Sequence, residues 1–309
     1  MDESLVADRK HSNIAVLIPC LNEESTISEV VSGFRRSLPD AIVYVYDNMS
    51  NDATAEKALQ AGAVVRKEEF PGKGQVVRRM FADVRADVYV LIDGDGTYDT
   101  DHAPLMIKKL TENNLDMVVG SRDNLDGRRG HGMGNRLFNQ LYRRLFGNGF
   151  TDIFSGYRVF TRRFVASFPA VSTGFEIETE ISVHASQLQL PVSETKVNYS
   201  PRPEGSFSKL RTFLDGWRIL KAMGSLLKNN RPLALFGSLS FALITTGLAF
   251  GIPIIVDFAQ TGIVEKLPTA VLVAALTLGG LLMLALGFIL DMSARSRLEI
   301  KRLFYLQNQ

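Results

Sequence analysis

The stretch VLIDGDGTYDTD (residues 90–101) runs from three apolar residues straight into four aspartates. Apolar side chains pack inside and unpaired carboxylates almost never do. A buried strand must therefore end here, with its acids emerging at a sheet edge or meeting a cation. Outward from this point, short β-rich runs alternate with helical patterns from Asn13 to about Val197. NIAVLIP, AIVYVYD, GAVVRK, VYVLID and LDMVVGS read as five strands. A helical stretch from about Glu24 to Ser37 follows the first strand. NMSNDATAEKALQAG supplies a cap, a helix and a terminating Gly62 after the second. Such alternation predicts an α/β domain with a largely parallel sheet covered on both faces. Ligands of these sheets sit at the carboxyl ends of the strands, where Asp47, Asp93 and Ser121 all fall.

The composition bounds the alternatives. The 309 residues are 46% hydrophobic and 22% charged, which is ordinary for a globular chain. A net charge of +2 gives no reason to expect a nucleic-acid partner. Cys20 is the one cysteine, so no intramolecular disulfide can form, which fits a reducing compartment. The polar start MDESLVADRKHSN lacks the apolar run of a signal peptide, and the first domain is expected to stay in the cytoplasm.

Beyond Arg231 the charges nearly vanish. Leu233–Val256 and Leu267–Leu290 are 24 residues each and carry none. As a helix, each run would be roughly 36 Å long, enough to span a bilayer core with some tilt. The intervening linker holds Asp257, Glu265 and Lys266. Lys221, Lys228 and Arg231 flank the pair on one side and Arg295, Arg297, Lys301 and Arg302 on the other. Positive flanks stay inside, so both termini are expected in the cytoplasm and the linker outside. Residues 202–231 place Phe207, Leu210, Phe213, Leu214, Trp217 and Leu220 at helical spacing among Lys209, Arg211, Arg218 and Lys221. That is the pattern of an amphipathic segment lying on a membrane surface.

The strand-end pair Asp93 and Asp95, separated by Gly94, offers two hard oxygen ligands suited to Mg2+ or Mn2+. An ion there would bridge to a diphosphate and stabilise charge on it as it departs. The plainer alternative is a solvated turn in which Asp99 or Asp101 caps the next helix.

Eight pieces in order carry a resemblance: IPCLNEE, VYDNMSNDAT, PGKG, IDGDGTYD, VVGSR, DIFSGYRVF, GFEIETEI and RPEGSFSKL, spanning residues 14 to about 210. Together they resemble the family 2 inverting glycosyltransferases of the GT-A (Rossmann-like) fold. The branch they are most similar to is the polyprenyl-phosphate glycosyltransferases, which include dolichyl-phosphate mannose synthase and bactoprenol glucosyltransferases. The resemblance implies a plan for the chain: a tail (1–12), a catalytic domain (13–200), juxtamembrane amphipathic helices (201–231), a two-helix transmembrane hairpin (232–291) and a cytoplasmic tail (292–309). It also implies a multi-pass protein of the cytoplasmic membrane.

The resemblance further implies roles for particular residues. Pro19, Asn22 and Glu23 match the first nucleotide-binding loop, and Asp47 the acid that reaches the base or ribose. Asn48 stands where many members carry a second Asp. Lys73 matches the Gly-Lys-Gly turn, and Asp93 and Asp95 the metal and nucleotide acids. Thr97 occupies a position where some members place a further metal ligand, a Gln. Arg122, Arg136 and Arg202 resemble the arginines that bind the lipid phosphate, a task suited to a planar guanidinium fork. Asp152 matches the proposed catalytic acid-base position. A phosphate monoester is already largely dianionic at neutral pH, so Asp152 is expected to orient the acceptor or a neighbouring Arg more than to remove a proton. One or more of Glu176, Glu178 and Glu180 is placed near the donor sugar or acceptor, unless they simply enrich a helix N-terminus in acid.

The implied reaction moves a hexose from a nucleotide-diphosphate sugar to a polyprenyl (undecaprenyl or dolichyl) phosphate at the lipid bilayer. UDP-glucose or another UDP-hexose comes first as donor and GDP-mannose second. Whether the chain forms a homo-oligomer is left open. Three rivals stand beside this. A processive polysaccharide synthase usually carries a Q-x-x-R-W segment, which this sequence lacks. A sugar nucleotidyltransferase should begin with a Gly-rich loop bearing Arg. A non-catalytic nucleotide-sugar-binding scaffold would have no use for so many acids and arginines.

Overall fold

The computed structural model describes residues 13–122, 140, 142–143, 150–201, 224, 228 and 231–308. Within them the expected alternation is realised as β1 (Ile14–Cys20), α1 (Ile27–Ser37), β2 (Ile42–Asp47), α2 (Thr54–Gln60), β3 (Val64–Lys67), α3 (Lys73–Asp83), β4 (Val88–Leu91), α4 (Ala103–Glu112) and β5 (Met117–Arg122). Next come β6 (Arg158–Thr161), α5 (Arg162–Ser167), α6 (Ile177–Leu188) and β7 (Val192–Val197). The apolar runs form α7 (Pro232–Thr261) and α8 (Leu267–Gln307).

The sheet order is β3-β2-β1-β4-β6-β5-β7. All neighbours pair parallel except β6, which runs antiparallel to both β4 and β5. Central strands are buried on both faces, which is why β1 and β4 read as unbroken apolar runs rather than as alternation. On α1 the stripe Ile27, Val30, Val31 and Phe34 faces the sheet at helical spacing. Met106 and Leu110 of α4 extend the same core.

Strands β6 and β7 are additions to the five read from sequence. β6 determines where the site lies. Because it runs antiparallel, the residues that precede it lie at the same sheet edge as those that follow β4 and β5. Its first residue, Arg158, is registered against both Leu91 and Val119. The segment 152–157 is thereby laid beside Asp93 and Arg122.

The chain divides into two compact units, one holding Met223–Ile300 and the other everything before it together with Lys301 onward. In the smaller unit α7 and α8 approach through small residues. Gly247 faces Thr277, Gly251 faces Val273, and Gly280 lies against Ile244. Small residues at the crossing let two apolar helices approach closely where the surroundings are themselves apolar. The outward side chains, among them Phe241, Ile255, Leu282 and Ile289, are exposed. Both helices are long and apolar enough to cross a membrane, which suggests membrane association. α8 continues well past Leu290, where the apolar run stops. Absence of charge limits a membrane span, whereas a helix continues as long as residues such as Ala, Arg, Leu, Glu and Lys favour it.

Candidate active site

Where β1, β2 and β4 end, their following loops enclose a cavity of about 350 Å³. Pro19 lines it from the end of β1, Glu23 from the loop that follows, Lys73 from the start of α3, and Asp93 and Asp95 from the loop after β4. Five of the seven sequence-predicted donor residues, Pro19, Glu23, Lys73, Asp93 and Asp95, thus line one cavity, and Asn22 and Asp47 do not. Asp95 is buried, and one of its oxygens accepts from the Thr97 backbone N–H (3.2 Å) and hydroxyl (2.6 Å). Thr97 is itself buried and lies outside the cavity lining, so it holds Asp95 in place rather than facing a ligand.

Lys73 reaches Asp93 and, on its other side, Glu178 at 2.5 Å. Burial works against the ammonium, but the two carboxylates outweigh it and hold the Lys73 pKa above its usual value. Burial in turn raises the Glu178 pKa, and Lys73 counters part of that rise. The Gly-Lys-Gly turn makes this meeting possible. Gly72 has φ +122°, and a side chain at Gly72 or Gly74 would run into the carbonyls of Thr173 and Ser172. That close approach brings the start of α3 against the entry to α6, where Glu178 resides. Gly156 serves the same end, since a Cβ there would strike the Asp93 carboxylate.

A second pair lies at the same sheet edge, outside the lining of that cavity. Arg122 donates from Nε and Nη2 to the two oxygens of Asp152, both at 2.7 Å. Its guanidinium sits 5.4 Å from the ring centre of Tyr199. Burial lowers the Arg122 pKa, but the Asp152 fork and nearby groups raise it further, so it is held above its ordinary value. Arg158, fully buried, lies behind this segment and donates to the carbonyls of Ile153 (2.7 Å) and Ser155 (2.9 Å) and to Ser182 Oγ (3.0 Å). Glu194 accepts from the Thr151 and Asp152 backbone N–H groups. The segment is thus pinned from two strands and from beneath.

Asn22 and Asp47 are used inside the loops. Asn22 Oδ1 accepts from Asn51 N–H at 2.8 Å, and Asp47 Oδ1 accepts from Ser50 N–H at 3.3 Å. Asn48, not Asp47, lines the cavity, and its side chain clamps residues 68–72 through the carbonyls of Glu68 and Phe70 and the N–H of Gly72. Arg136, Arg202 and most of the amphipathic segment lie outside the described residues.

The cavity's own donors bear on whether a divalent ion fits. Two carboxylates on one glycine-spaced turn face it, and one of them already draws a cation, Lys73. Among the described residues no group of three or more His, Cys, Asp or Glu side chains could hold an ion alone. The residues therefore fit an open site, completed by phosphate oxygens and water, of the kind hard divalent ions favour.

The family model for glycosyl transferase family 2 matches residues 15–168. Glycosyltransferase AglJ of Haloferax volcanii is 35% identical over 285 residues, covering 90% of this chain and 93% of its own. The chain is a family 2 glycosyltransferase. Its similarity extends to the low-salt glycan biosynthesis hexosyltransferase Agl6 of the same organism, at 32% identity over 76% of this chain and 58% of that one. Among solved structures, glucosyl-3-phosphoglycerate synthase of Mycobacterium tuberculosis in complex with Mn2+, UDP-glucose and phosphoglyceric acid shares the fold. Its TM-score is 0.58 at 22% identity, over 70% of this chain and 79% of that one.

Sequence reasoning left several residues of this glycosyltransferase without an individual role. Of the three alternating glutamates, Glu176 accepts from the Gly174 N–H and Glu180 from the N–H groups of Val171 and Ser172. Glu178 alone of the three reaches Lys73. Phe175 lines the cavity with its ring 5.9 Å from the Lys73 ammonium. Arg158 lies in the DIFSGYRVF piece, which implies no role for it. A buried guanidinium has no signature in sequence, because Arg is usually exposed.

Proposed function

We propose that the chain transfers a hexose from a nucleotide-diphosphate sugar to a polyprenyl phosphate with inversion, releasing a nucleoside diphosphate. UDP-glucose or another UDP-hexose is the donor first in line and GDP-mannose the second. The observation that carries this reading is a single chain combining an acid-lined cavity at the strand ends with two helices long enough to span a bilayer. In this reading Pro19, Asn22 and Glu23 shape the nucleotide loop and Asp47 serves the base or ribose side. Lys73 meets the diphosphate, and Asp93 and Asp95 hold Mg2+ or Mn2+. When bound, such an ion supplies Lewis-acid neutralisation of the departing diphosphate.

Arg122, with Arg136 and Arg202, receives the acceptor phosphate. Asp152 grips the Nε–Nη2 edge of Arg122 and so fixes the plane in which its other, Nη1–Nη2 edge would meet a phosphate, a positioning role that requires no proton removal. A lipid phosphate lies at headgroup level, so the hairpin and the amphipathic segment would set the crevice at that height, with both termini in the cytoplasm. A reporter fused after Gln260 should then read the outer side, and a cytoplasmic signal there sinks the orientation.

The activity is tested by incubating membranes holding the chain with radiolabelled nucleotide sugars and polyprenyl phosphate. Label extractable into organic solvent supports the transferase. Label in insoluble polymer favours a processive synthase, and tight nucleotide binding without transfer favours a scaffold. Asp95→Asn should lower organic-extractable label by about a hundredfold or more while leaving membrane insertion intact. Unchanged transfer by that variant removes Asp95 from the ion site.

A further inference from the structure

Glu178 does something its neighbours do not. Glu176 and Glu180 bond the backbone at the entry to α6, whereas Glu178 is buried against Lys73 and its second oxygen has no hydrogen-bond partner among the described residues. A buried carboxylate oxygen without a donor is costly, so this fold carries a penalty that α6 itself does not require. Asp93, Lys73 and Glu178 together sum to −1 (two carboxylates, one ammonium), and Asp95 on the same cavity adds to that excess of acid.

We infer that Glu178 is a positioning residue acting through Lys73: it is the second seat to which the ammonium withdraws when a divalent ion takes Asp93. The inference rests on the reading of Asp93 as an ion ligand. Before an ion enters, Lys73 is the counter-cation of Asp93 and competes for it. Two cations crowded on one half-buried carboxylate repel strongly, so Lys73 must leave as the ion arrives. The other cavity-lining neighbours are Val76, which is apolar, and Phe175, whose ring face attracts an ammonium more weakly than a carboxylate does. Glu178, already in contact, lets Lys73 withdraw by side-chain rotation without losing a carboxylate partner. A donor diphosphate offers the ammonium a further anion, so ion and donor should bind cooperatively.

The test is Mn2+ binding to the full-length chain in detergent, read from the electron paramagnetic resonance signal of the free ion, with and without UDP. UDP should tighten Mn2+ binding about tenfold in the wild type, and Lys73→Met should bind Mn2+ without UDP about as tightly as the wild type does with it. Glu178→Gln should weaken Mn2+ binding about tenfold when Lys73 is present and by less than about twofold in the Lys73→Met background. Equal weakening in both backgrounds overturns the inference, because Glu178 would then attract the ion directly. Asp93→Asn tests the underlying reading. If that variant binds Mn2+ like the wild type, both the ion site and the inference fall. If it loses Mn2+ while Glu178→Gln acts equally in both backgrounds, the inference alone falls.

Discussion

Asp116 and Asp152 stand at opposite ends of β5, one just before its first residue and the other against its last. Both are buried, both are gripped by an arginine, and in both pairs the guanidinium lies over a tyrosine, Arg163 over Tyr305 at 5.1 Å and Arg122 over Tyr199 at 5.4 Å. The chemistry is nearly identical, yet the surroundings differ. Asp116 is also bonded by the hydroxyls of Thr161 (2.9 Å) and Tyr305 (2.8 Å), at the amino end of the parallel strands and away from the cavity. Asp152 stands at the carboxyl end, on a segment whose Gly156 presses against Asp93. An ion pair is therefore no sign of function by itself. Position at the carboxyl rather than the amino end of the strands is what makes Asp152 the candidate site residue and Asp116 a clasp.

The largest effect should come from replacing each acid in turn. Asp152→Asn keeps the shape but loosens the Arg122 fork, and transfer should fall about a hundredfold, mostly through poorer use of acceptor. Asp116→Asn should leave the rate per folded molecule unchanged and cost about 2–3 kcal/mol of stability, the loss of a buried pair discounted because Arg163 is 28% exposed. Steady-state transfer and thermal melting of both variants check this. The comparison breaks if Asp116→Asn slows transfer at full stability, or if Asp152→Asn does not.

How much of this was legible beforehand follows the same division. The strand ends, the paired acids and the membrane-length runs rest on local pattern, and the structure has the first five strands, both acids on the cavity wall and each apolar run inside one longer helix. What escaped depends on contacts distant in sequence. β6 is only four residues, RVFT, and nothing in them announces an antiparallel insertion. Lys73 and Glu178 meet only because the two glycines flanking Lys73 admit the 172–174 backbone. Asp47 closes β2 and Asn48 opens the loop that follows it, so a shift of one position across the strand end decides which of them meets the cavity. The role of Tyr305 was invisible because the charge pattern ended the apolar run at Leu290, while the helix carries on to Gln307.

A smaller effect is expected from pH, and it should belong to stability alone. His184 lies behind Phe164 and Phe168, bonded to Ser167 at 2.9 Å, and burial first, then Lys301, lowers its pKa from 6.5 to about 3. The folded chain keeps the ring neutral while the unfolded chain protonates it below pH 6.5. Unfolding then takes up a proton, so stability is full above that pH and falls on acidification by up to about 1.4 kcal/mol per unit. His184→Gln should flatten the melting temperature between pH 6.5 and 5 in detergent relative to the wild type. An unaltered acid slope would assign it to other groups.

The smallest effect isolates one bond of the Asp116 cluster. Tyr305→Phe removes the hydroxyl that donates to Asp116 and leaves the ring beneath Arg163. Asp116 retains Thr161 and Arg163 on Oδ1, but Oδ2 loses the donor shown for it, so the loss should be about 1.5 kcal/mol, the low end for a hydrogen bond to a charged group. Burial, with Asp116 adding to it, pushes the Tyr305 pKa up to about 12, so the phenol stays protonated and the bond should not vary with pH across the range in which the chain is handled. Melting of the variant should therefore run parallel to the wild type at every pH, displaced downward by a constant few degrees, with transfer unchanged. Reduced transfer without a shift in melting would mean that the clasp at the amino end of β5 also governs the chemistry at its carboxyl end, and the contrast between the two aspartates would fail.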